Sequence, residues 1–268
     1  MQGRIFVLAD IHGSSAPIIC FNSYLVRFHN KPLTKDDVII ILGDSGLNFL
    51  SKYRSKQIKN DLSGYPCKYF IIRGNHDKRP EDLYKKFPKE WRKETFFDNK
   101  VYVEKKYPNI KYALDQSAVY NINQKKVLVI PGAYSIDKGY RLIMGLPWAE
   151  NEQLSEKEQE ETYKIAEKLK NNGGVDIVLS HTCPKKYEPT DLFLPVVIQK
   201  KVDKTMEKLL DQIDDVLDYN LWFFGHFHGT RIYPKVNQKQ QIMIYNNQAI
   251  ELNEAYKCFK DNSDFNFY

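Results

Sequence analysis

Short, dense apolar runs alternate along this chain with longer amphipathic or polar stretches, and most of the runs stop abruptly at a polar or charged residue. Residues 4–9 read as a buried strand that ends at Asp10, and 37–42 as a second that ends at Gly43-Asp44. Lys68 to Ile72 is a third, followed by Arg73-Gly74-Asn75-His76-Asp77. Between them lie a helix from about Pro17 to His29, with proline in its first turn, and a connector of helical character over roughly 51–62. Strand and helix in alternation predict an α/β layered domain, whose ligands gather outside the carboxyl ends of the strands.

The period fades from Pro80 to about Lys126, where aromatics and lysines mix, and this stretch reads as an irregular insertion. Within it Val101–Val103 and Ala118–Ile122 are expected as strands. The second should form a hairpin through 123–126 with Val127–Ile130. Ser155 and Glu158 make a capping box for a charged helix that stops near Asn171-Asn172-Gly173-Gly174. Strands follow at 175–179, 221–224 and 242–245, with an amphipathic helix over 203–217. The tail from about 254 to 268 has no clear period. One domain spanning residues 1–268 is the expectation.

At 268 residues the chain can bury a full core. Its net charge of +6, spread over scattered lysines, mildly favours an anionic substrate and marks no single nucleic-acid tract. Cys20, Cys67, Cys183 and Cys258 show no metal or disulfide spacing, which predicts reduced thiols and a cytoplasmic setting. No run is long enough to span a bilayer, and none has the length of a signal peptide. No membrane and no obligate protein partner are therefore expected.

The histidines change this picture. Of the six, only His29 lies inside an amphipathic helix. The others, His12, His76, His181, His226 and His228, sit beside Gly, Asp, Asn or Ser at predicted strand ends. Imidazoles and carboxylates at strand termini are metal ligands or proton carriers more readily than packing groups.

Asp10-x-His12, Gly43-Asp44, Gly74-Asn75-His76-Asp77, His181 and Gly225-His226-x-His228 occur in that order. The set resembles the calcineurin-like metallophosphoesterase superfamily, and the loop Gly132-Ala133-Tyr134-Ser135-Ile136-Asp137-Lys138 through Arg141, with Trp148 beyond it, resembles a segment of its uncharacterised bacterial and phage members. The resemblance implies a four-layer αββα sandwich of two mixed β-sheets flanked by helices. It also implies two divalent metal ions, manganese, iron, zinc or nickel, with manganese favoured. Asp10, His12 and His228 would hold one ion, Asn75, His181 and His226 the other, and Asp44 would bridge them. A metal-bridging hydroxide would attack phosphorus, with His76 as general acid.

The implied activity is hydrolysis of phosphate esters, as a phosphodiesterase or phosphatase on nucleotide-like or other phosphorylated small molecules. Alternatives are a nuclease on DNA or RNA ends, a phosphoprotein phosphatase, and a non-catalytic metal-binding scaffold. The Gly-Asp-x-x-Asp-Arg-Gly motif of the superfamily's protein phosphatases is replaced here by Gly43-Asp44-Ser45-Gly46-Leu47-Asn48-Phe49. The Asp and Arg of that motif are missing, which ranks phosphoproteins low. Arg73, Ser135, Lys138 and Arg141 are the candidates for substrate contact.

Overall fold

A computed structural model describes residues 3–268, and its strands fall into two sheets. The first half runs β1 (Ile5–Leu8), α1 (Ala16–His29), β2 (Val38–Leu42), α2 (Lys52–Ser63), β3 (Lys68–Ile72), α3 (Pro80–Lys86), β4 (Trp91–Phe96), β5 (Asn99–Glu104) and β6 (Ile110–Tyr112). Then come β7 (Ala118–Ile122), β8 (Lys125–Ile130), α4 (Lys138–Met144), α5 (Glu156–Lys170), β9 (Ile177–Ser180), α6 (Thr205–Val216) and β10 (Leu221–Phe224). The chain closes with β11 (Arg231–Ile232), β12 (Gln240–Met243), β13 (Ile250–Glu251) and α7 (Leu252–Asp261).

The first sheet has the order β13-β1-β2-β3-β6-β5-β4, and the second β11-β12-β10-β9-β8-β7. Both are parallel at the centre and antiparallel at the edges. Side-chain alternation along the central strands divides the core. Ile5, Val7, Ile40, Leu42 and Phe70 meet Val129, Ile177, Leu179 and Phe223 between the sheets. The intervening residues Phe6, Leu8, Ile39, Ile41 and Ile71 face α1 and α2, while Leu128, Val178, Trp222 and Phe224 face α5 and α6. Period-2 strands buried on both faces yield the helix-sheet-sheet-helix layering that the motifs implied.

Three expectations need correction. The stretch 80–126 is regular: α3 is followed by β4, β5 and β6, which extend the first sheet beyond β3. Its period was hidden because β4 is an edge strand, with half its residues exposed and only Trp91 buried. The tail is also ordered. Glu251 caps α7 by accepting from Glu254 N at 2.7 Å, and Leu252, Ala255 and Phe259 are buried against the inter-sheet core. The β7–β8 hairpin turns on Asn123 and Gln124 alone, both with positive φ, so Lys125 and Lys126 belong to the strand.

A candidate dinuclear metal centre

The carboxyl ends of β1, β2, β3, β9 and β10 converge, and loop backbones lock them together. Asp10 N donates to Gly43 O at 3.2 Å, His12 N to Asp44 O at 2.8 Å, and Gly225 N to His181 O at 2.9 Å. Asp10, His12, Asp44, His226 and His228 all have positive φ, between 44° and 71°. Left-handed conformations cost L-residues energy, and five of them in one place are a mark of a functional site. They turn each side chain inward from the end of its strand. Glycines permit the approach: a Cβ on Gly74 would lie 2.3 Å from Asp44 Oδ1, and one on Gly225 would lie 2.7 Å from Asp10 Oδ2.

Asp44 is central. Its Oδ1 lies 3.3 Å from His181 Nε2, and its Oδ2 lies 3.0 Å from His76 Nδ1 and 3.9 Å from His12 Nδ1. On one side of it, Asp10, His12 and His228 bring ligand atoms within 4.8 Å of one another, with the His12 and His228 Nε2 atoms 2.9 Å apart. On the other, Asn75 Oδ1 lies 3.0 Å from His181 Nε2, and the His226 ring lies edge-on to His181 with centroids 5.0 Å apart. The seven sequence candidates are thus neighbours in space.

Several buried atoms here suit a cation. Asp10 is fully buried, yet its Oδ1 has no hydrogen-bond partner, while Oδ2 accepts from His226 N at 3.0 Å. An unpaired buried carboxylate oxygen facing imidazoles is costly unless a cation completes it. His181 Nδ1 lies 2.6 Å from Leu42 O, which leaves Nε2 aimed at Asp44 and Asn75. The donor set is nitrogen and oxygen without thiolate, which fits a pair of borderline divalent ions.

The charges are mutually adjusted. Burial would raise the Asp44 pKa, but His181 and His76 outweigh it and hold the carboxylate well below its usual range. Burial pushes Asp10 up, assisted by the charge of Asp44 and opposed by His181. Burial would lower His181 and His76; Asp44 raises the first to about 9, and the carboxylates of Asp137 and Asp44 raise the second to about 10. His12 is lowered by burial to about 4, and burial lowers His226 and His228 as well.

The substrate candidates separate into two groups. Arg73 is 3% exposed, with Nε 3.2 Å from Asp115 Oδ1 and one terminal nitrogen donating to Glu152 O. Ser135 is 1% exposed; it accepts from Asn75 Nδ2 at 3.0 Å and donates to Glu152 Oε2 at 2.6 Å. Neither can reach a substrate, because each is spent on holding the site's frame. Lys138 and Arg141 stand at the rim on α4: Lys138 Nζ lies over Trp148, and the Arg141 guanidinium lies over Phe49, which packs on His76.

Three participants were not singled out in the sequence. Asp137 Oδ1 faces His76 Nε2 at 3.5 Å. Glu152 anchors Ser135 and Trp148, and Asn246 Nδ2 donates to Asp10 O at 2.8 Å. For Asp137 and Asn246 the signal was polarity in two loops, Ser135 to Lys138 and Tyr245 to Gln248, and Glu152 lies outside both.

Among solved structures, the chain is similar to TT1561 of Thermus thermophilus, 13% identical over 100% of this chain and 99% of that one, with a TM-score of 0.52. It is also similar to a dimetal phosphatase from Danio rerio, 9% identical over 94% and 93% of the two chains, with a TM-score of 0.50. At these identities the likeness concerns the fold. No curated protein matches the sequence. The family described as calcineurin-like phosphoesterase matches residues 3–230, which contain every strand-end motif described above, and the chain belongs to that family.

Proposed function

We propose that this metal-dependent phosphoesterase hydrolyses small phosphodiesters or monoesters of nucleotide-like size at the centre formed by Asp10, His12, Asp44, Asn75, His181, His226 and His228. The observation that carries the reading is the position of Asp44. Its two oxygens face different histidines on opposite sides, as a ligand shared by two cations requires. Asp10, His12 and His228 would hold one ion, and Asn75, His181 and His226 the other. When bound, two such cations, with manganese the favoured pair, neutralise phosphate oxygens and lower the pKa of water toward ~7.

The chain's own residues supply the rest. His76 presents Nδ1 to Asp44 Oδ2 at 3.0 Å and Nε2 to Asp137 Oδ1 at 3.5 Å, so its ring stands between the proposed centre and α4. A proton held at Nδ1 is placed for transfer to the leaving oxygen of the ester. Arg141 and Lys138 add positive charge at the rim, where an anionic substrate enters. A single domain in a cytoplasmic setting completes the reading, supported by four unpaired cysteines.

The test is metal analysis together with turnover of bis-p-nitrophenyl phosphate and p-nitrophenyl phosphate in added manganese. Turnover of either ester that is lost in Asp44→Asn supports the reading. Full metal occupancy with no turnover of either ester overturns it in favour of a scaffold.

A further inference from the structure

We infer that the phosphate ester taken by this centre carries an apolar tail, held by two exposed hydrophobic segments that flank the histidine cluster. More than half of the large hydrophobic side chains exposed among the described residues fall in the segments 136–146 and 192–198. Ile143 is 85% exposed and Val196 88%, with Leu142, Met144, Leu194 and Ile198 each above half. Such concentration is unusual on a water-facing surface and marks a place where apolar matter binds.

Both segments touch residues of the histidine cluster or their neighbours. The first carries Asp137, beside His76, and Arg141, over Phe49. The second packs Phe193 on Phe227, the residue between His226 and His228, with ring centroids 6.3 Å apart. Leu192 occupies the space that Gly229 leaves open, since a Cβ there would lie 2.6 Å from Leu192 Cδ1. A tail attached to a phosphate at the cluster would therefore leave beside residues that belong to these segments.

Cations accompany the apolar groups. Lys138 and Arg141 lie within the first segment, and exposed Lys200 and Lys201 follow the second. Positive charge beside protruding aliphatic side chains complements an amphiphile with an anionic head. A wholly polar organic group would leave the aliphatic side chains in water and gain nothing from them.

This inference rests on the proposed phosphate site and extends it to the rest of the substrate. It is tested on the manganese-loaded protein by calorimetry with ethylphosphonate and octylphosphonate, which share a head group. The octyl compound should bind more tightly by about tenfold or more, since several additional methylenes leave water. In the double variant Ile143→Ser/Val196→Ser that ratio should fall toward one. Equal binding of the two phosphonates by the unaltered protein overturns the inference alone, as does a ratio that survives the double substitution. Failure of both to bind removes the phosphate site and the inference with it.

A tail of this kind belongs either to a monomeric amphiphile or to a lipid within a bilayer. Cosedimentation with vesicles of phosphatidylcholine and phosphatidylglycerol, but not phosphatidylcholine alone, assigns the bilayer, and absence from both pellets assigns the monomer. Self-association of the unaltered protein that is lost in Ile143→Asp would give the face to a second copy of the chain and overturn the proposal.

Discussion

His76 Nε2 and Asp137 Oδ1 face each other across 3.5 Å, and Arg141 Nε holds the other oxygen of Asp137 at 2.7 Å. Asp137 ends the loop after β8 and Arg141 lies one turn into α4, so this short helix fixes the ring at the heart of the cluster. No residue near Asp44 in the chain does this, although that is where the superfamily's protein phosphatases carry their Asp.

Replacing His76 with Ala should reduce turnover by ~10²–10⁴ while metal content stays intact. Asp137→Asn should cause a smaller loss, and one that depends on the leaving group. Turnover of an alkyl ester, whose alkoxide needs a proton, should fall well beyond that of a p-nitrophenyl ester. Equal losses on both esters would assign Asp137 to the scaffold.

Ser135 fixes the amide of Asn75, because Ser135 Oγ accepts from Asn75 Nδ2 and leaves Oδ1 facing His181. Ser135→Ala should weaken cation binding at the Asn75, His181 and His226 position by ~10–100-fold. The position made by Asp10, His12 and His228 should keep its affinity. Stepwise titration with manganese resolves the two, and a uniform loss at both would contradict the assignment.

Metal binding should release protons near neutral pH. His181, raised to about 9, carries a proton at pH 7 in the metal-free protein, and Asp10 is pushed in the same direction. Both must lose protons to act as ligands, whereas His12, His226 and His228 are already neutral there. Affinity should therefore climb as pH rises toward 9. Calorimetry at pH 7 in buffers of different ionisation heat measures the release, and a value of zero would contradict this protonation scheme.

Arg73→Ala should act on stability. Arg73 and Asp115 are both buried, and loss of one partner strands the other charge, a change that costs ~3–5 kcal/mol. Urea unfolding should show the loss. A normal fold with a raised KM would return Arg73 to the substrate.

Acid should weaken the clasp between α5 and the loop after β3. Burial would raise the Glu158 pKa, but hydrogen bonds from Arg79 and Ser155 hold it at about 2. The sign follows from a depressed carboxyl pKa: its contribution is present above about 4.5 and is lost as pH falls toward 2. Glu158→Gln should lower the Tm at pH 7 and have little effect near pH 2. A pH-independent difference would show that the carboxylate charge is immaterial.

The parts legible in the sequence share one physical cause. Strands buried on both faces make dense apolar runs, and a run that stops just before Asp10, Asp44 or Asn75 exposes its candidate ligand by contrast. The edge pair β4 and β5 lacks that contrast, since in β4 only Trp91 is buried. In α7 the buried positions Leu252, Ala255 and Phe259 do keep helical spacing, but tyrosine, lysine and cysteine between them blur it. Asp137 and Glu152 were beyond reach for another reason. Their roles arise from how a loop folds back on Asn75 and His76, which no local period encodes.

Gly225 follows β10 of the second sheet, yet a Cβ on it would run into Ala9 and Asp10, which follow β1, and the carbonyl of Leu42 in β2 of the first. Half a site is therefore not an option for this molecule: neither sheet alone assembles a cage. A cation held there would fasten one layer to the other like a rivet, and its retention would double as a gauge of whether the whole sandwich has closed.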